Sequence, residues 1–325
     1  MNNCLVTGGA GFIGSHLCRK LIQRGDKVTV IDDVSTGEKT NIDALLDHPQ
    51  FEFIEGTIAD RNLVSQQVAA ANEVYHLAAA VGVALIAQAP IETIERNIEP
   101  TQFLLSACNE KHLSGEAIKL FMASTSEVYG KNPKETWHEE DDLVYGPTTR
   151  ARWSYGASKA IDEFLVLGYW RQSQLPSVIG RFFNVVGPRQ TGAYGMVLPR
   201  FVQAAMKNEN LLVHDDGEQT RCFAHVDDVT DGVIHLMGSN QTNGEIYNLG
   251  SDQPVSILEL AKRVIAITGS DSRIEFQSYN DAYDKDFEDI RRRVPDLSKI
   301  RNAIQFKTNH DLDSIIRDVH ESMKA

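Results

Sequence analysis

Tyr155 and Lys159, in the run Tyr155-Gly-Ala-Ser-Lys159, stand four residues apart. On a helix that spacing puts both side chains on one face. A phenol ordinarily ionises at about pH 10. A neighbouring ammonium stabilises the phenolate, which makes this tyrosine a candidate general base at neutral pH. Upstream, Ala123-Ser124-Thr125-Ser126-Glu127 ends a strand-like run, where ligand-contacting residues of an open α/β sheet belong. The Thr125 hydroxyl can orient an alcohol and relay its proton, while Ser126 and Glu127 add a second hydroxyl and a carboxylate. A Tyr-x-x-x-Lys spacing by itself is common and usually structural. The two runs together are specific.

A second constellation lies at the start of the chain. Thr7-Gly8-Gly9-Ala10-Gly11-Phe12-Ile13-Gly14 falls between an apolar strand-like run and a helix-like one. Gly8, Gly11 and Gly14 permit a tight turn, close approach of the backbone to a pyrophosphate, and close helix–strand packing. The helix start at Phe12 and Ile13 then offers free N–H groups to phosphates. Asp32 closes the next strand-like run, close to the roughly 20-residue spacing of a carboxylate that hydrogen-bonds an adenosine ribose. A carboxylate there repels a 2′-phosphate, so the expected cofactor is NAD rather than NADP, with Asp33 sharing or taking the role. Lowering the Tyr155 pKa by about three units requires roughly 4 kcal/mol. Lys159 and the cationic nicotinamide of such a cofactor can supply that together.

Short apolar runs alternating with helix-like segments position these residues. Strands are predicted at 4–6, 27–31, 51–54, 73–77, 119–123 and 177–183, and helices over 12–23, 91–109 and 154–171. The fold class is α/β: a Rossmann-type doubly wound parallel sheet over residues 1–185, then a smaller, mixed α/β substrate lobe over residues 186–325. Residues 222–250 are a candidate to return to the first domain, because the FAHV run and the helix after it resemble a further sheet unit. The most apolar window, residues 77–87, is shorter than the about 20 residues that cross a bilayer and reads as a buried strand end and loop.

Composition narrows the partners. The 325 residues are 42% apolar and 24% charged, an ordinary globular balance. A net charge of −13 argues against a nucleic-acid partner, so positive charge for an anionic ligand must be local. Arg181, Arg189, Arg200, Arg221 and the cluster Arg291-Arg292-Arg293 are available for it. The four cysteines are scattered and the ten histidines form no HxH or HExxH pattern, so no metal site is predicted and His225 reads as structural. The opening Met1-Asn2-Asn3 lacks the basic start of a signal peptide, and a cytoplasmic protein without a membrane partner is expected.

The runs VTGGAGFIGSHL, VYHLAA, STSEVYG, YGASK, RFFNVVGPRQ, TRCFAHVDDV and RRRVPD resemble the extended short-chain dehydrogenase/reductase family, in its nucleotide-sugar epimerase, dehydratase and decarboxylase branch. The resemblance runs along nearly the whole chain. It implies a UDP-sugar or dTDP-sugar substrate, and a homodimer formed partly by the Tyr-bearing helix, on which Ile161, Phe164, Leu165 and Leu167 spread apolar surface. It implies that Thr125, Tyr155 and Lys159 form the catalytic triad, and that Ser126 and Glu127 hold the sugar. Ile58, Leu77, Ala78, Ala79 and Asn97 would join the cofactor contacts. Asn184 and Arg221 would meet the diphosphate, Arg189 and the phosphate-binding Arg293 would join the substrate contacts, and Leu198 would belong to the nucleotide-base wall. One departure is Gly56-Thr57, where the family commonly has Gly-Asp, which puts an adenine contact in doubt.

Glu127 separates the reactions of the branch. The 4-epimerases that this chain resembles often carry Thr or Ser there, whereas the 4,6-dehydratases pair Asp with Glu. Here the pair is Ser126-Glu127, so the Asp acid is missing and dehydration is disfavoured. The run STSEVYG is similar to that of UDP-glucuronate decarboxylases (UDP-xylose synthases), in which oxidation at C4 makes the sugar acid a β-keto acid that loses CO₂. Arg150 or Arg152 can meet the sugar carboxylate or remain a solvated surface arginine, and the approach Arg150-Ala-Arg-Trp-Ser-Tyr155 departs from that group's usual pattern. Decarboxylation of UDP-glucuronate is the first expectation, UDP-sugar 4-epimerisation the second, and a non-catalytic NAD-binding sensor the third.

Overall fold

The computed structural model describes residues 1–80, 90–192, 196–278 and 290–324. The first strand, β1 (Asn3–Thr7), is buried from Cys4 onward, and α1 (Phe12–Gln23) turns Gly14, Leu17, Cys18 and Leu21 inward. The pattern repeats through β2 (Lys27–Asp32), β3 (Phe51–Glu55), α2 (Arg61–Ala70), β4 (Glu73–His76), α3 (Pro90–Leu113), β5 (Lys119–Thr125), α4 (Ser154–Ser173) and β6 (Ser177–Phe182). Near-continuous apolar strands of this kind suit a parallel sheet covered on both faces. Beyond β6 come β7 (Val185–Val186), α5 (Val197–Met206), β8 (Leu211–His214), β9 (Thr220–Cys222), β10 (Ala224–His225), α6 (Val226–Gly238) and β11 (Glu245–Leu249). The chain continues with β12 (Pro254–Ser256), α7 (Ile257–Thr268), β13 (Ile274–Gln277), β14 (Arg292–Arg293), α8 (Ser298–Ile304) and α9 (Leu312–Ser322).

The main sheet has seven strands in the order β11-β6-β5-β4-β1-β2-β3, and every pairing is parallel. From β1 the chain runs outward through β2 and β3, then crosses back to place β4 on the other side of β1. At that switch point the crossovers diverge and leave a crevice beyond the carboxyl ends of β1 and β4. The FAHV run does not enter this sheet: only Ala224 and His225 pair, with β7, in a separate ladder. The strand that joins β6 is β11, with Tyr247 opposite Gly180.

In the later part of the chain, α5, α7 and α9 turn Leu198, Phe201, Leu260, Val264, Ile315 and Val319 toward Leu211 and Val213 of β8, closing a second apolar core. Two small ladders flank it, β8 with β13 and β12-β9-β14. All four cysteines are buried and free. Of the four apolar residues expected to spread over α4, Ile161 and Phe164 are exposed, but Leu165 and Leu167 pack against the sheet core. Among the described residues no helix is long and apolar enough to cross a membrane, and residues 81–87 of the apolar window lie outside them.

A buried clamp ties α4 to the sheet beside the catalytic run. Arg181 of β6 donates to Glu163 of α4 through Nε at 2.9 Å and Nη2 at 2.7 Å, and Ser124 of β5 donates to the same carboxylate. Glu163 and Arg181 are each 4% exposed. Removing one partner of such a pair strands the other charge out of water, at a cost of about 3–5 kcal/mol. Glu163→Ala should therefore lower the free energy of unfolding in urea by roughly that amount. A loss below about 1 kcal/mol, as for a surface pair, would show that the clamp is solvated.

Candidate functional site

A cavity of about 730 Å³ opens along the carboxyl ends of the strands and extends to the second core. At one end lies the glycine turn. Gly8 takes φ +75°, which disfavours a side chain, and a Cβ on Gly14 would stand 2.1 Å from the Gly8 carbonyl. Gly8, Gly11, Phe12, Ile13 and Gly14 line the cavity together with Asp32, Asp33, Ile58, Leu77, Ala78 and Ala79. Asp32 accepts from the Ala10 and Val34 amides, both at 2.8 Å. Burial pushes its carboxyl up, against the pull of those amides. Each oxygen keeps a lone pair for a ribose hydroxyl. A turn too tight for side chains, a helix start and a buried carboxylate are the donor set a dinucleotide needs, and NAD fits these residues. Gly56 and Thr57 also border the cavity, while the next acid along the chain, Asp60, caps α2 through the Asn62 and Leu63 amides.

Asn97 is buried but does not border the cavity. Its amide braces Ala80 and the Ser158 hydroxyl, so it supports the Tyr-bearing helix from behind. His76, held between Thr7 and Thr101, is pushed down to about 3 by burial and then by Lys159, so it is a neutral link between β1, β4 and α3.

Thr125, Ser126, Glu127 and Tyr155 line the middle of the cavity. Thr125 pulls the Tyr155 phenol towards its ionised form, and Gly156 lets α4 approach the backbone here, since a Cβ would meet the Glu127 carbonyl at 2.5 Å. Without bound ligand the phenol lies above its ordinary value, pushed there by burial first and the Glu127 charge second. Lys159 is 2% exposed, and its Nζ lies 2.9 Å from Asp162 Oδ2, one helical turn further on. Glu127 is the centre of an ion triad, with Oε2 at 2.5 Å from Arg152 and Oε1 at 2.6 Å from Arg293. Burial alone would push the Glu127 carboxyl up, but Arg293 and then Arg152 outweigh it and hold it at about 2. Arg293 also approaches Ser126 Oγ at 3.4 Å. Trp153 is buried beneath Arg152, with the guanidinium 5.5 Å from its ring centre.

Asn184, Leu198, Arg221 and Arg293 border the far end, where Met196, Leu212, His214, Gln219, Phe223 and Ile257 complete the wall. Arg189 does not reach it. Its Nη1 donates to the Asn41 carbonyl at 2.8 Å, and burial pushes the guanidinium down to about 10, so this arginine ties a surface segment to the glycine turn's flank. Arg152 is the main residue that sequence left open, since it belongs to no local motif and acquires its role only through Glu127 and Arg293. Away from the cavity, ligand-type atoms of His225, His310 and Asp318 lie within 4.8 Å of one another. The Asp227 amide donates to His225 Nδ1, which leaves the ring proton on Nε2, and the two imidazoles stack at 4.1 Å.

Fold and cavity define an NAD-dependent enzyme of the extended short-chain dehydrogenase/reductase type acting on nucleotide sugars. Residues 5–319 match the family described as GDP-mannose 4,6 dehydratase, and the chain belongs to that family. Among curated relatives, a UDP-N-acetyl-alpha-D-glucosaminuronate decarboxylase of Bacillus cytotoxicus is 41% identical, over 94% of this chain and 92% of its own. UDP-glucuronic acid decarboxylase 1 of Xenopus tropicalis is 34% identical over 91% of this chain and 66% of its own. Among solved structures, a UDP-glucuronic acid 4-epimerase of Bacillus cereus, in complex with UDP-glucuronic acid and NAD, superposes with a TM-score of 0.88 at 28% identity over 99% of each chain.

The triad makes a pH prediction. A carboxyl held below its unfolded value stabilises the fold above that value and loses the contribution as pH falls through the folded one. The stability difference between wild type and Glu127→Gln should be full above 4.5 and decline only towards about 2. Thermal unfolding across pH measures it. A difference already absent at neutral pH would mean the arginines do not hold Glu127.

Proposed function

We propose that this protein is a UDP-hexuronate decarboxylase, taking UDP-glucuronate or its 2-acetamido analogue to the corresponding UDP-pentose. The observation that carries the reading is the Arg152–Glu127–Arg293 triad in the same cavity as Tyr155. Two guanidiniums and one carboxylate leave one positive charge in excess, which suits a substrate with its own carboxylate. The decarboxylases among the relatives, both named for sugar acids, support the same choice.

The chemistry follows from these groups. NAD, when bound, supplies a hydride acceptor and donor at the sugar carbon and a positive charge beside the phenol. Gly8, Gly11, Gly14 and Asp32 would hold it. Tyr155 takes the proton of the C4 hydroxyl, which Thr125 orients, and a ketone forms at C4. The carboxylate is then β to that ketone. The bond from C5 to the carboxyl carbon breaks, CO₂ leaves, and the electron pair passes into the enolate. Arg152 and Arg293 keep the surroundings positive while the charge moves from carboxylate to enolate oxygen. C5 takes up one proton, so the sugar exchanges CO₂ for hydrogen, and reduction at C4 restores the alcohol. Arg293 and Arg152 favour the ionised form of Glu127, which suits it to orient the arginines and the sugar.

Proton NMR of UDP-glucuronate, and separately of its 2-acetamido analogue, incubated with protein and NAD⁺ tests the reading. A UDP-pentose formed with stoichiometric CO₂ is expected from one of the two, and Tyr155→Phe should slow it at least about 100-fold. A C4 epimer that keeps its carboxyl would identify a 4-epimerase instead, and turnover unaffected by Tyr155→Phe would remove that residue as the base.

A further inference from the structure

Asp162 has no part in the chemistry above, yet it is fully buried on α4, with its Oδ2 on the Lys159 ammonium. Its other oxygen, Oδ1, is buried without a hydrogen-bond partner. A folded protein rarely keeps a carboxylate out of water with half its acceptors unused, because burial strongly disfavours the charge. Burial indeed pushes this carboxyl up, against the pull of Lys159. The neighbouring acid, Glu163, is already committed to Arg181 and Ser124, so it does not neutralise the lysine.

The charges around Tyr155 show what Asp162 offsets. Arg152 and Arg293 share the single carboxylate of Glu127, and Lys159 adds a third cation. An oxidised nicotinamide brings a fourth positive charge to the same region, whereas a reduced one brings none. We infer that Asp162 is a positioning residue that anchors Lys159 and serves as the buried counter-charge favouring the oxidised over the reduced cofactor. The inference rests on the cofactor reading, with Tyr155 bordering the cavity and the Lys159–Asp162 pair buried behind it, and it is independent of which sugar is turned over. A purely structural Asp162 would hold α4 together and have no preference between the two redox forms.

Calorimetric titration of NAD⁺ and NADH into the wild-type protein and Asp162→Asn distinguishes these roles. Asparagine keeps the shape and an acceptor for Lys159 but removes the charge. The ratio of Kd for NAD⁺ to Kd for NADH should rise about tenfold, the effect of one neighbouring charge. Equal change in both affinities, or no change, overturns the inference. Asp162→Ser, smaller and also uncharged, gives the same comparison if Asp162→Asn does not fold. Because binding needs no turnover, the result can be read even if neither sugar acid proves to be a substrate.

Discussion

A single carboxylate joins three distant parts of this chain. Glu127 follows β5, Arg152 precedes α4, and Arg293 arrives from β14 near the end of the sequence, and all three meet within 2.6 Å contacts. Their side chains are only 9–14% exposed, so none can be removed without leaving another charge poorly solvated. The triad therefore fixes where β14, late in the chain, meets the carboxyl end of β5, and it leaves a local excess of positive charge in a protein whose net charge is −13. Local potential, not overall charge, decides what the cavity attracts.

The sheet makes that meeting possible. Parallel strands end on one edge, and the switch between β1 and β4 opens the crevice there. Behind the catalytic run, the Arg181–Glu163–Ser124 clamp fixes α4 against β5 and β6. Asn248 of β11 adds a second brace, accepting from the Tyr129 hydroxyl and donating to the carbonyls of Trp137 and Asp296. Through Trp137 and Asp296 it steadies the segment that carries Arg293, so the outermost strand of the sheet supports the far side of the site.

What could be read in sequence was local. The glycine turn, Asp32 and the Tyr155–Lys159 spacing each depend on a few consecutive residues, and so do the first six strands. Relations across the chain were not legible. FAHV has the composition of a sheet strand, but the place beside β6 goes to β11, where Gly180, in register with Tyr247, leaves room for the Phe121 and Leu249 side chains. Arg189 and Asn97 sit in motif-like runs, yet a backbone carbonyl at Asn41 and the Ser158 hydroxyl claim them. Arg152 was one of two open arginines until Glu127 selected it, and Lys159 gave no sign of its acidic partner beyond the helical spacing.

The central claim is that the arginine pair receives a sugar carboxylate. Its most direct test is calorimetric binding of UDP-glucuronate and UDP-glucose to the NAD-loaded protein, with Arg152→Gln beside the wild type. The account predicts that the wild type prefers the acid by about tenfold or more, the worth of one charged hydrogen bond, and that Arg152→Gln largely abolishes the preference. Equal affinity of the wild type for the two nucleotide sugars would contradict it.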